Sequence, residues 1–174
     1  AFMTTLERNA DIVHMSSYAP LFAHVEGWQW RPDMIWFDNL RSFRSCSWYV
    51  QKLYTRYCGT NVLKLTDMEG ANITGADGIY ASSVYDADSD RIYMKVINVS
   101  DQPRDIKINF EGLRKKDSLS GEEAVSFHSD DPDAENTLDE PFKIVPESSS
   151  LDFEGKTLEA TVAPKIFMVY VIKK

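Results

Sequence analysis

The apolar positions of this chain change their period near residue 59. Beyond it, six short runs at 62–66, 79–85, 91–99, 104–110, 158–162 and 166–172 are rich in β-branched and aromatic residues and bounded by Gly, Asp, Asn, Ser or Pro. That is the pattern of strands separated by turns. With no long helical pattern between them, the runs predict an antiparallel β-sandwich. Ahead of residue 59 the spacing is helical. Phe2, Met3 and Leu6 predict a helix over 2–9 that stops at Asn9. Residues 11–17, DIVHMSS, are mostly apolar and predict a strand covered on both sides, as in a parallel sheet. A loop over 18–31 follows, Pro32 opens an extended segment, DMIWF, and Ser45 or Ser47 can cap a helix over 48–57. Tyr49, Val50, Leu53, Tyr54 and Tyr57 share one face of that helix, too apolar to stand in solvent. Gly59 is placed to end it in a left-handed conformation. Helix followed by strand is the rhythm of an α/β barrel.

Composition adds a boundary. At 174 residues and 43% hydrophobic, the chain can build one core, or one domain with an attached fragment. Its net charge of −8 argues against nucleic acid and against an anionic membrane as partners. No apolar run approaches the roughly 20 residues of a membrane-spanning helix. The charge is uneven: residues 1–58 hold six Lys/Arg against five Asp/Glu, all four tryptophans and both cysteines, whereas 59–174 hold thirteen against twenty-two. The two halves are different kinds of sequence.

Candidate chemistry is sparse. Cys46 and Cys58 flank the predicted helix, which at 1.5 Å per residue separates them by roughly 18 Å, far beyond the ~7 Å reach of a disulfide. Both are expected as free thiols. A helix N-terminus would favour a reactive Cys46, but no His or Asn motif accompanies it. His14, His24 and His128 lack metal-ligand spacing, and there is no CxxC pair, HExxH or P-loop, so no metal or cofactor is expected. Asp86, Asp88 and Asp90 begin like a calcium loop, yet Ile97 occupies the twelfth position, and a polar hairpin turn is the better reading. Residues 129–136, SDDPDAEN, read as a solvated acidic loop. Asn72-Ile-Thr and Asn98-Val-Ser match the N-glycosylation pattern. The loop over 18–31 stands apart, because it carries Trp28 and Trp30, and Trp36 follows closely. So much aromatic surface in a loop calls for something to cover it.

The runs AFMTTLERNADIVHMSSYAPLFAHV, GWQWRPDMIWFDN and SWYVQKLYTRYCGTNVL resemble the C-terminal portion of the α-L-arabinofuranosidases of glycoside hydrolase family 51. That family's pattern runs from a helix ending LERN, through a strand ending SYAPL, to a PDLIxFDN-like segment and a YYVQKLF-like helix. The match is close to about residue 62. Thereafter it rests on strand order, on PFKIVPESSSLDFEG and on the closing APKIFMVYVI.

The resemblance implies a mainly β chain: an antiparallel, jelly-roll-like β-sandwich preceded by the last βα unit of a truncated (β/α)8 barrel. Residues 1–58 would be the barrel fragment, with 11–17 as its eighth strand, and residues 59–174 the sandwich. The parent is then expected to be a retaining glycosidase that releases terminal non-reducing α-L-arabinofuranosyl residues from polysaccharides. Its two catalytic glutamates would stand on the fourth and seventh strands, upstream of Ala1, leaving no catalytic residue in this chain. Glu7 and Glu26 are poor candidates for either role. What carries over is the lining: active sites of such barrels lie at the C-terminal ends of the strands, so Tyr18, Trp28 and Trp30 are expected to contact sugar. Packing of the same aromatics against the sandwich is the alternative. The implied partners are an arabinofuranosyl-containing oligo- or polysaccharide and the rest of the barrel, with self-association of the short chain as another way to cover its N-terminal segment. A secreted or periplasmic parent is the favoured compartment. A carbohydrate-binding module and a purely structural brace remain as other readings of the sandwich.

Overall fold

A computed structural model describes all 174 residues. In chain order its elements are helix α1 (Phe2–Arg8), strands β1 (Phe22–His24), β2 (Ile35–Phe37) and β3 (Ser42–Arg44), and helix α2 (Cys46–Arg56). Strands β4 (Asn61–Leu63), β5 (Ile79–Asp86), β6 (Arg91–Asn98), β7 (Arg104–Asn109), β8 (Leu119–His128), β9 (Glu147–Ser150), β10 (Glu154–Gly155), β11 (Thr157–Val162) and β12 (Ile166–Lys173) follow. The chain is mainly β, with antiparallel sheets and two short helices; β1 and β2 form the parallel pair.

β12 is the centre of the fold. It lies between β8 and β6 in a seven-stranded sheet of order β10-β8-β12-β6-β5-β4, with β9 also on β8. Its apolar run IFMVYVI is buried on both faces because two different layers cover it. Phe167, Val169 and Val171 meet Tyr49, Leu53 and Tyr54 of α2 and its C-cap residue Tyr57, with the Tyr54 ring stacked on Phe167 at 5.6 Å. Ile166, Tyr170 and Ile172 face the other way, toward Leu158 and Val162 of β11, with Ile106 and Ile108 of β7 packed alongside. Each such side chain removed from water contributes about 1.5–3 kcal/mol. The layers are therefore helices, a seven-stranded sheet and a two-stranded β7–β11 ribbon, so the two sheets are far less equal than those of a symmetric sandwich.

The apolar face expected of α2 is the one it buries, and Ser45 is its N-cap, accepting a hydrogen bond from the Trp48 N–H at 3.4 Å. All six expected strands are present, five within one residue of their expected limits and β4 ending three residues early. The Asp86–Asp90 run is the β5–β6 hairpin turn, with Tyr85 Oη donating to Asp90 at 2.7 Å.

Two expectations need correction, and strand β8 was not foreseen. Residues 11–17 form no strand: a turn leads into open chain, and Ile12 and Met15 are 74% and 88% exposed. A buried parallel strand needs neighbours on both edges, and this chain supplies none there. Gly59 is not left-handed. The helix ends at Tyr57 (φ −108°, ψ 40°), and glycine is needed because a Cβ at 59 would stand 2.6 Å from the Tyr85 carbonyl oxygen of β5. Finally, β8 was hidden by its own sequence, LSGEEAVSFH. Gly121 sits where a Cβ would come within 2.2 Å of the Leu151 carbonyl, and a register shift in the pairing with β12 falls beside it, a β-bulge that breaks the alternation.

Candidate functional site

The aromatic loop rests on the small sheet β1-β2-β3. Because β1 and β2 run parallel, with Ala23 opposite Trp36, the chain between them must cross back, and this crossing carries Trp28 and Trp30. Ala23, Met34 and Trp36 are buried beneath it, and Trp36 stacks on Phe43 at 6.3 Å and 6°. Ser45 fixes this platform to α2: its Oγ donates to the Met34 carbonyl at 2.9 Å while also capping the helix. The loop's wall is thereby tied to an element packed on the main sheet.

Trp28 meets the edge of Trp36 at 5.9 Å. The Arg31 guanidinium lies over both rings, 5.3 Å from Trp28 and 5.0 Å from Trp36, and Nη1 donates to both Glu135 oxygens at 3.0 and 3.1 Å. Cation–π contacts at exposed sites contribute about 0.5–1 kcal/mol each. Trp28 stays 46% exposed and Trp30 60% exposed. Tyr18 is half-buried, its hydroxyl donating to the Pro32 carbonyl at 3.3 Å. A half-open cleft of about 290 Å³ has Trp28 and Trp30 among its lining residues, with Phe22, His24 and Asp33. The structure therefore brings the two tryptophans together and leaves Tyr18 beside the cleft.

Three polar residues that sequence patterning does not mark are buried, two of them in this region and Lys95 in the main sheet. Asp33 lines the cleft and is 2% exposed, with no hydrogen-bond partner for Oδ2. Asn136, inside the supposedly solvated acidic loop, is buried. Its side chain donates to the Arg44 and Ile144 carbonyls, both at 2.9 Å, and accepts from the Ile144 N–H at 2.7 Å. Glu135 of that loop and Asp139 just beyond it reach the platform as well, on Arg31 and Arg41, both at 3.0 Å. Lys95, in the middle of β6, holds Glu7. Single-sequence patterning carries little signal for any of them, since an isolated polar residue reads as exposed until its partners are known.

Glu7 and Glu26 stay outside the cleft. Glu7 binds Lys95 and accepts from Ser82 Oγ at 2.6 Å. Glu26 lies in an exposed turn whose backbone N–H donates to His24 Nδ1 at 3.2 Å. Burial pushes the Cys46 thiol up rather than down, opposite to an activated nucleophile. Asn98, in one of the two glycosylation patterns, is fully buried and donates to the Gln102, Val162 and Ala163 carbonyls, so it is closed to modification in the folded chain.

Residues 1–165 match a family model described as the α-L-arabinofuranosidase C-terminal domain. The chain belongs to this family. An extracellular exo-α-L-arabinofuranosidase of Streptomyces chartreusis is 50% identical over 84 residues, 45% of this chain and 10% of that protein. Arabidopsis thaliana α-L-arabinofuranosidase 2 is 32% identical over 168 residues, 96% of this chain and 24% of that protein. An arabinose-bound GH51 α-L-arabinofuranosidase, MgGH51, superimposes with a TM-score of 0.84 at 27% identity, over 99% of this chain and 26% of that one. This arabinofuranosidase C-terminal domain thus spans about a quarter of the length of the relatives it matches throughout.

Proposed function

We propose that this chain braces the catalytic barrel of a retaining α-L-arabinofuranosidase and forms one wall of its active site. The whole enzyme removes terminal non-reducing α-L-arabinofuranosyl residues from arabinose-containing polysaccharides. The observation that carries this reading is the exposed pair Trp28 and Trp30, held on a platform that is itself fixed to the main sheet. Aromatic faces of this kind pack on the C–H face of a sugar ring while hydroxyls bond at the rim. Residues 1–58 then close the barrel and residues 59–174 brace it.

Retaining hydrolysis needs two carboxyl groups about 5 Å apart, one as nucleophile and one as acid/base. On this reading the barrel's own strands supply both, Glu7 remains a structural partner of Lys95, and the aromatic loop holds the sugar for attack. An extracellular site of action is part of the proposal, supported by the description of the Streptomyces relative.

The test compares the 174-residue chain with a polypeptide that also carries the whole barrel, using an aryl α-L-arabinofuranoside and following the first-formed anomer by NMR. The expected result is turnover with retained configuration by the longer polypeptide and none by the chain alone. Turnover by the chain alone that vanishes in Glu7→Gln or Glu26→Gln would overturn it.

A further inference from the structure

Asp33 is the buried polar residue of the cleft, and its chemistry is unspent. It follows Pro32 at the entrance to β2 and is 2% exposed, and its Oδ2 is buried without a hydrogen-bond partner. A buried carboxylate oxygen left unpaired is costly, and such groups are ordinarily satisfied by a protein or ligand donor. The nearest cation in sequence is already committed: Arg31 lies over Trp28 and Trp36 and donates to Glu135. Trp28 and Trp30 line the same cleft with 46% and 60% of their surface free. An apolar wall beside a lone acceptor matches a neutral polyol, which offers C–H faces to the rings and an O–H to the carboxylate. At about 290 Å³ the cleft is at the small end of ligand pockets, the size for one monosaccharide unit rather than a chain of them.

We infer that Asp33 is a substrate-binding residue, its free carboxylate oxygen accepting a hydrogen bond from a hydroxyl of the sugar held against Trp28 and Trp30. The inference rests on the arabinofuranosidase reading and deepens it by naming the polar contact that orients the ring. A charge-assisted bond of this kind is stronger than a neutral one and is formed only with a substrate carrying the matching hydroxyl.

The experiment measures kcat/KM of the complete enzyme on a 4-nitrophenyl α-L-arabinofuranoside and on its 2-, 3- and 5-deoxy analogues, for the unaltered protein, Asp33→Asn and Asp33→Ser. Circular dichroism and thermal unfolding report whether each variant folds, and Asp33→Ser serves if Asp33→Asn does not. The expected result is a loss of roughly 10- to 100-fold on the full sugar that nearly disappears on one deoxy analogue, the one lacking the hydroxyl bound by Asp33. An equal loss on every analogue would mean that Asp33 pairs with protein instead, and unchanged kinetics would mean that it pairs with nothing that matters; either overturns the inference while leaving the arabinofuranosidase reading intact. Failure of the unaltered enzyme to hydrolyse any of these substrates overturns both.

Discussion

The Lys95 ammonium lies 2.5 Å from a Glu7 carboxylate oxygen and 2.5 Å from the Tyr57 carbonyl, in a site where Lys95 is fully buried. Three elements meet at this point: α1 through Glu7, the end of α2 through a carbonyl the helix leaves unpaired, and the middle of β6. The Tyr54 ring covers the ammonium at 5.3 Å, and Ser82 takes up the second Glu7 oxygen. Burial holds Lys95 below the usual lysine range even though Glu7 pulls the other way. The pair fixes α1 to the sheet; α1 leads into the segment carrying the aromatic loop.

Glu7→Gln strands a buried charge, and breaking one side of such a pair costs about 3–5 kcal/mol. Urea unfolding should show a loss of that order. The double variant Glu7→Gln, Lys95→Met, which removes the charge as well, should lose less than Glu7→Gln alone. Equal losses would mean that the residues pack without electrostatic coupling.

Alkaline pH should loosen the same layer from the other side. Tyr57 is pushed up to about 12, first by burial and then by donating its hydroxyl to Glu123 at 2.9 Å. Burial also raises Tyr54. A group whose pKa is higher folded than unfolded lends stability that is complete below its unfolded value near 10 and is lost as pH climbs through the folded one. Stability should therefore fall from pH 10 towards 12. Lys95 titrates with the opposite sign below its unfolded value of about 10.5, so the comparison is best made against Tyr57→Phe. That variant should show a slope shallower by one proton in urea titrations, and an identical slope would refute the assignment.

Asn136→Ala should be more damaging than a loop position suggests. It would leave the buried Ile144 N–H and the Arg44 and Ile144 carbonyls without partners, at about 1–3 kcal/mol for each group not rescued by water. Asn136→Asp keeps an acceptor and loses the donor, so it should not restore stability. A chemical-denaturation midpoint unchanged in either variant would contradict the role given to this side chain.

The difference between what the sequence disclosed and what it hid follows from the range of the interactions. β12, β6 and α2 were legible because their burial is a matter of local period: Phe167, Val169 and Val171 against Ile166, Tyr170 and Ile172, or Tyr49, Leu53 and Tyr54 on one helical face. Residues 11–17 carry the apolar content of a strand, yet pairing depends on neighbours that lie elsewhere, and Met15 stands in the open. β8 failed on a local criterion because its glycine and two glutamates answer to distant residues, Leu151, Arg91 and Tyr57. At the candidate site the aromatics announce themselves in the sequence. Asp33 and Asn136 do not, since only three-dimensional placement shows one without a partner and the other with three hydrogen bonds.

The thiols should separate kinetically. Cys58 is exposed, whereas Cys46 is half-buried with its thiol pushed up by burial and by Glu135. Under native conditions at pH 8, a disulfide reagent should modify Cys58 about tenfold or more faster than Cys46, because the thiolate is the attacking form. Two thiols should titrate after denaturation without reductant. Faster modification of Cys46 would contradict the burial assigned to it.

In the proposed role, the platform β1-β2-β3 presents Trp28 and Trp30 to a sugar. The most direct measurement is kcat/KM on an aryl α-L-arabinofuranoside for the complete enzyme carrying Trp30→Ala, beside Trp48→Ala, a tryptophan flanked by Arg44 and Lys52 and away from the cleft. A loss of about tenfold or more is expected for Trp30→Ala with an unchanged melting temperature, the signature of lost substrate contact. Trp48→Ala should lower the melting temperature and leave kcat/KM of the folded fraction near that of the parent. An unaltered kcat/KM in Trp30→Ala would return this tryptophan to packing and contradict the wall.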